Sequence, residues 1–96
     1  MGMYVVSTKP VRNPPALLYN LLGWSTLIRY LNQWGVNTNE FSEFNEGERI
    51  SADTCRNVAA AIEANYKKLL KADRKWLRGH AKVWRRMARA GGCEQW

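Results

Sequence analysis

The sequence is poor in the residues on which metal sites, disulfide frameworks and nucleophilic catalysis depend. Its 96 residues include only two cysteines and one histidine. Cys55 and Cys93 lack Cys-x-x-Cys spacing, and with His80 they cannot complete a tetrahedral zinc site unless carboxylates or a second chain contribute. His80, as the single histidine, is also the only imidazole base that could activate a nucleophile. We therefore expect free thiols, no bound metal, no cofactor and no enzymatic activity.

The sequence also lacks a long uninterrupted apolar run. The most apolar stretch, residues 16–34, contains Asn20, Arg29 and Asn32, whereas a membrane span needs ~20 predominantly apolar residues. Residues 1–10 have neither the basic start nor the apolar run of a secretory signal. A glycine-rich phosphate loop is absent as well. We expect one domain over residues 1–96, in the cytoplasm, without a membrane or a small-molecule substrate as partner.

Positive charge is abundant, and it is concentrated in the second half of the chain. The formal net charge is +7; residues 1–50 carry four bases and four acids, and residues 51–96 carry eleven bases and four acids. Such asymmetry favours an anionic partner, which could be nucleic acid, an acidic protein surface or membrane headgroups. The alternative is a solvated surface that only keeps the protein soluble.

Most of this charge falls in the stretch Lys67–Arg89, which carries two stripes at helical spacing. The apolar stripe consists of Trp76, Leu77, His80, Val83, Trp84, Met87 and Ala88. The basic stripe consists of Lys71, Arg74, Lys75, Arg78, Lys82, Arg85, Arg86 and Arg89. A helix that buries the apolar stripe must display the basic one. We therefore predict that these eight cations bind the partner, and that Trp76 and Trp84 pack in the core rather than stack on bases.

The first half of the chain is predicted to hold a short strand or extended arm and one helix. Met3–Ser7 has β-type residues and is stopped by Pro10. Ala16–Gln33 is predicted to be a helix that Gly35 terminates. Because this helix is apolar on nearly every side, we interpret it as central and buried; alternatively, part of it faces a partner. In the acidic connection that follows, Phe41 and Phe44 are predicted anchors and Asn45-Glu46-Gly47 a tight turn.

Two further helices are predicted in the second half. Ser51 is an N-cap candidate for a helix from Ala52 to about Ala72. Asp73 interrupts the apolar stripe, so we place a break there and predict that Asp73 caps a third helix. The alternative is one continuous helix over residues 52–90, since no glycine or proline intervenes before Gly79. Gly91-Gly92 terminates either version. The predicted fold class is mostly α: a small three-helix domain with a short N-terminal strand or extended arm.

Several short segments, spread over most of the chain, combine into a recognisable pattern. They are Met1-Gly2-Met3, Trp24-Ser25-Thr26-Leu27-Ile28-Arg29-Tyr30, Asn45-Glu46-Gly47, Ala59-Ala60-Ala61 and Gly91-Gly92-Cys93-Glu94-Gln95-Trp96. In type and order they resemble a family of small uncharacterised proteins from phages, prophages and bacteria. Members begin Met-Gly-Met, carry Trp-x-x-Leu-x-x-Tyr in their first long helix and an Asn-Asp-Gly turn, and end in a Gly-Gly-Phe-type segment. Glu46 here replaces the usual Asp, and Cys93 replaces the usual Phe.

This resemblance implies a phage or mobile-element setting and no particular reaction. Short phage proteins of this kind often act by binding, as inhibitors of host defence such as anti-CRISPR proteins do. We therefore predict a non-enzymatic, phage-type inhibitor that blocks a host nucleic-acid-handling defence complex through its basic helix, in the host cytoplasm. The alternative is direct, non-specific binding of DNA or RNA by the same cations.

Overall fold

The computed structural model describes residues 2–42 and 46–96, which form a mixed α/β structure. The prediction of a mostly α fold was wrong, because a four-stranded antiparallel sheet accompanies the three α-helices. The elements, in chain order, are β1 (Gly2–Ser7), β2 (Ala16–Asn20), α1 (Leu21–Gln33), β3 (Glu48–Ser51), α2 (Ala52–Asn65), a 3₁₀ turn (Tyr66–Lys68), α3 (Lys71–Arg89) and β4 (Gly92–Gln95).

The sheet brings together segments that are far apart in the sequence. Its strand order is β2-β1-β4-β3, so the last strand of the chain lies between the first and the third. Val5 is paired with Leu17 on one side and with Gln95 on the other, and Ile50 is paired with Cys93. β3 and β4 have only four residues each, too few to show an alternating pattern, and their partners rather than their own propensities make them strands.

The predicted N-terminal strand is confirmed, but the first helix begins later than predicted. Residues from Ala16 to Asn20 form β2 instead of the first helical turn. Pro14 and Pro15 hold the preceding backbone extended, and pairing with β1 continues that conformation. The helix starts where the Asn20 side-chain oxygen accepts a hydrogen bond from the Gly23 amide at 2.6 Å. At its other end Gly35 has φ +79°, which confirms the predicted stop.

The core lies between the helices and one face of the sheet. Met3, Val5 and Tyr19 project from that face and join the buried residues of all three helices. The Phe41 ring stacks between Trp24 and Trp84, with centroid distances of 5.1 and 5.9 Å. This confirms Phe41 as an anchor. The second predicted anchor, Phe44, and the first residue of the predicted turn, Asn45, lie outside the described residues. Gly47, the last residue of that turn, has φ +81°, the positive value that such a turn needs.

α2 and α3 are separate helices, as predicted, but α2 ends well before Ala72, and Asp73 lies inside the first turn of α3 and does not cap it. Ser51 Oγ accepts the Thr54 amide at 3.2 Å, which confirms the cap of α2. α2 ends at Asn65, and α3 begins at Lys71 after Leu70. The break occurs because Leu69 leaves the helical path to fill the core, with 9% of its surface exposed. The alternative of one helix over residues 52–90 is therefore wrong.

Candidate binding surface on the third helix

α3 is oriented by its apolar side, which is packed into the core. Leu77, Trp84 and Met87 are fully buried, and together they fix the rotation of the helix. The opposite side consequently faces solvent. We call the eight cations on that side the basic face: Lys71, Arg74, Lys75, Arg78, Lys82, Arg85, Arg86 and Arg89. Seven of the eight are exposed and Arg85 is half-buried.

The basic face is narrow and long. At about 3.6 residues per turn, the eight cations lie within an arc of roughly 120° on a helix about 28 Å long. The helix carries one acid, Asp73, and the helical periodicity places it on the side away from the basic face. Eight of the fifteen bases of the chain are thus gathered along one ridge.

Half of the cations are held by neighbouring groups. Arg85 donates to both carboxylate oxygens of Glu63 on α2, at 2.9 and 3.1 Å, and the Arg78 guanidinium lies 5.8 Å from the centre of the Tyr66 ring. The Arg74 and Arg86 guanidinium groups donate to the backbone carbonyls of Leu69 and Asn13 at 3.3 and 3.2 Å. The carbonyl contacts orient the arginines without cancelling their charge.

The other half extend into solvent. Across residues 2–42 and 46–96, no hydrogen bond or ion pair holds the side chains of Lys71, Lys75, Lys82 or Arg89. Within the same described residues, Arg85 is the only cation of the basic face that pairs with an acid. Positive charge without nearby carboxylates attracts an anionic surface over a distance of about one Debye length.

Gly79 exposes bare helix backbone beside the basic face. It lies between Lys75 and Lys82 in the middle of α3, and a Cβ built on it would meet no atom of the described residues within 4 Å, apart from its chain neighbours and the adjacent backbone of its own helix. A glycine inside a helix costs about 1 kcal/mol relative to alanine, and packing within the chain does not require one here. A partner surface could therefore come closest to the helix at Gly79.

The two tryptophans of α3 do not belong to this surface. Trp84 is fully buried, and its indole N–H donates to the Tyr19 hydroxyl at 3.0 Å. Trp76 is half-buried, with its ring 6.1 Å from Tyr19. Their predicted place in the core is confirmed for Trp84 and, in part, for Trp76. The basic face therefore presents neither ring to a nucleic-acid base.

His80 is a structural residue on the inner side of α3. Its Nδ1 lies 2.9 Å from the Tyr19 hydroxyl. Because Tyr19 already accepts from the Trp84 indole, its own proton is available to a neutral imidazole. Burial lowers the pKa of His80 below its ordinary value, in agreement with this arrangement.

The cysteines form a buried pair of thiols. Both are fully buried, and their Sγ atoms are 3.7 Å apart. The hydrogen bond with Cys55, together with burial, raises the pKa of Cys93, which keeps the thiol protonated. In the described part of the chain no three or more His, Cys, Asp or Glu residues are close enough to hold a metal ion.

Sequence reasoning located the eight cations but missed the residues that modulate them. Glu63 and Tyr66 lie on or just after α2, and nothing in their spacing indicates which cation each one meets. Gly79 was visible, since glycine is uncommon in the middle of a helix, but its exposure depends on the rotation of α3. Nor could the sequence indicate that Gln95 is completely buried and that its amide joins Ser42 and Glu40 to the sheet.

Comparisons with known proteins give no match: no family model, no curated protein and no solved structure is significantly similar to this chain. In addition, no helix of the described residues has the length and apolarity required to cross a membrane.

Proposed function

We propose that this protein is a non-enzymatic, phage-type inhibitor that acts in the host cytoplasm by covering an anionic surface of a nucleic-acid-handling defence complex. The observation that carries the proposal is the basic face of α3, an exposed ridge of eight cations of which Arg85 alone pairs with an acid among the described residues. The opposite side of the same helix is buried in the core, so the ridge is held rigidly. The backbone of the ridge and its four held arginines therefore lose little conformational entropy on binding, whereas Lys71, Lys75, Lys82 and Arg89 become ordered only in the complex.

An acidic protein surface fits this ridge better than a single strand of nucleic acid does. Single-strand binding combines cations with aromatic rings on which bases stack. Trp84 is buried, Trp76 faces Tyr19, and the Tyr66 ring is covered by Arg78. Contacts by cations alone would give non-specific, strongly salt-dependent binding, whereas an acidic patch on a protein can match the positions of Arg74 and Arg86, which backbone carbonyls orient without cancelling their charge.

The test compares two charge reversals of equal size. One variant combines Lys75→Glu, Arg78→Glu and Lys82→Glu on the basic face. The matched control combines Lys9→Glu, Arg12→Glu and Arg29→Glu, all exposed and outside α3. Pull-downs from nuclease-treated host lysate should recover a specific partner with the parent chain and the control. The α3 variant should lose that partner, because it places carboxylates where the acidic surface would dock.

Titration of free duplex DNA and RNA distinguishes the two candidate classes. A direct nucleic-acid binder would bind both tightly, and its affinity would fall with salt at a slope of about −0.9 per phosphate neutralised. We expect weak binding of free nucleic acid instead. Tight, salt-steep binding that the α3 reversal abolishes, with no protein recovered after nuclease treatment, would contradict the proposal.

A further inference from the structure

The outer edge of β2 is an unprotected strand edge. β2 is the terminal strand of the sheet, and its five residues, Ala16–Asn20, include no charge and no proline. Natural edge strands are usually protected by such residues. The Ser7 amide donates to the Pro15 carbonyl at 3.1 Å, and bonded pairs alternate in an antiparallel ladder. The backbone N–H and C=O of Leu18 therefore point away from β1, to a side on which no strand of the described residues pairs with β2.

A groove opens next to this edge, on the helix side of the sheet. Its volume is about 360 Å³, at the lower end of the range of ligand pockets. Aromatic rings of Tyr19, Trp76 and His80 form its walls, and Leu22 stands at its rim. Leu18 borders the groove from β2, and its side chain, which alternates with that of Tyr19, projects from the other face of the sheet. These two leucines are 73% and 77% exposed, an unusual amount of bare apolar surface beside a free strand edge.

Asp73 gives the groove a negative charge, whereas the other charged residues of α3 are cations. Asp73 is the only residue with a formal charge among those that line it, because the lowered pKa leaves His80 neutral. The Asp73 carboxylate accepts from the Tyr30 hydroxyl at 2.6 Å and from the Trp76 indole at 3.4 Å. A carboxylate has about four acceptor positions, so capacity remains for a ligand.

We propose that β2 and this groove bind an extended peptide segment of a partner protein, which adds a strand to the sheet and places a lysine or arginine side chain against Asp73. Main-chain hydrogen bonds to the β2 edge would supply affinity, and alternate side chains would enter the groove and supply specificity. The aliphatic stem of the basic residue would lie on the Trp76 ring, and its charged end would reach the carboxylate.

Charge selects this occupant over a second copy of the chain. A second copy would present its own β2, which carries no cation, and it would leave the Asp73 carboxylate without a positive partner. The basic face lies on the other side of α3, about one helix diameter away, so salt screens most of its repulsion of a cationic peptide at this site. The site and the basic face are therefore two separate binding surfaces of opposite charge.

The proposal can be tested with short capped peptides that alternate threonine and valine. Each peptide contains one lysine, and the set places this lysine at every position. Backbone amide shifts of Ala16 and Leu18 and the indole shift of Trp76 report binding by NMR. At the best lysine position, Asp73→Asn should weaken binding by about tenfold, the usual loss for a charge-assisted hydrogen bond. Replacement of the peptide lysine by norleucine should have the same effect.

The two changes together should weaken binding no further than either one alone, because they remove the same contact. Asp53→Asn, at an exposed acid in the first turn of α2, is the matched control and should leave the affinity unchanged. Leu22→Ser, at the exposed rim, is a second variant that keeps Asp73 and the fold, and it should also weaken binding. Alternate amides of the peptide can be N-methylated in two registers. Only the register that blocks the amides facing β2 should abolish binding.

Three results would overturn the proposal. One is that no peptide of the set shifts Leu18 or Trp76 at millimolar concentration. Another is that lysine and norleucine peptides bind equally well. The third is that the Leu18 amide shifts with protein concentration alone and sedimentation shows a dimer, which would make a second copy the occupant.

Discussion

α1 and α3 show when the sequence of a helix reveals its buried side. In α3 the apolar and basic stripes are separate, and the structure buries Leu77, Trp84 and Met87 on the predicted side. In α1 apolar residues occur all round, and the structure buries Trp24, Leu27 and Leu31 but leaves Leu21 62% exposed. Periodicity therefore specifies orientation only where a polar stripe opposes the apolar one. The interpretation of α1 as a central, buried helix was therefore wrong for the side that carries Leu21, and the alternative that part of the helix faces a partner stays a prediction.

The prediction with the largest expected effect compares the two sides of α1 by the stability that each loses on truncation. Leu27→Ala should lower the free energy of unfolding by about 2–5 kcal/mol, because it leaves a cavity at a fully buried position. Leu21→Ala, in the same helix, should change it by less than about 1 kcal/mol, since that side chain is mostly in water. Urea unfolding followed by tryptophan fluorescence measures both. Equal losses for the two variants would show that α1 is buried on both sides.

The sheet was the part of the fold that the sequence could not predict. β1 contains Val5 and Val6 and was recognised from its β-branched residues, whereas β4 reads Gly-Cys-Glu-Gln and has no such signal. β4 is a strand because β1 and β3 bond to it from both sides. β2 was predicted to be helical for a different reason, since its leucines continue directly into those of α1. Pairing between distant segments decided these elements, and no local pattern encodes it.

The two proposed binding surfaces differ in the same way, since one depends on a local pattern and the other on distant segments. All eight cations of the basic face were predicted, because one helix supplies them at one period. The β2 groove combines Leu18 from the sheet, Leu22 from α1 and Asp73 from α3, and only the folded chain brings these three together. Asp73 itself was singled out from the sequence for a different role. It was predicted to be an N-cap, but its carboxylate accepts the Tyr30 hydroxyl, and this hydrogen bond raises the pKa of Tyr30.

A smaller effect is expected on the exposed side of α3. Gly79→Ala should raise the free energy of unfolding by about 1 kcal/mol, because alanine is the better helix former and its Cβ has open space beyond the backbone of α3 itself. Ala60→Gly, at an exposed position inside α2, is the matched control and should lower it by a similar amount. If Gly79 permits close approach of a partner, Gly79→Ala should weaken partner binding while it stabilises the fold. A loss of stability would mean that Gly79 is packed and that the orientation assigned to α3 is wrong.

The smallest expected effect concerns the inner side of α3 and depends on pH. Burial lowers the pKa of His80 in the folded chain, so between its unfolded pKa of about 6.5 and its lower folded pKa the unfolded chain binds more protons. The contribution of His80 to stability is therefore fully present above about pH 6.5, and it decreases as the pH falls through this window. The imidazolium also needs Tyr19 as an acceptor, and the Tyr19 proton would then lose its own acceptor.

Because the imidazole is partly exposed and screened by water, the loss between pH 7.5 and 5.5 should be below about 1 kcal/mol. His80→Gln keeps a hydrogen-bonding group near Tyr19 but does not titrate, so the difference between the two chains isolates His80 from the carboxylates. Urea unfolding at both pH values should show a larger decrease in stability for the parent chain than for His80→Gln. The opposite result, a parent chain that gains stability relative to His80→Gln on acidification, would mean that the imidazolium is favoured in the fold. A negative charge would then outweigh burial, and Asp73, which lines the same groove as His80, is the candidate.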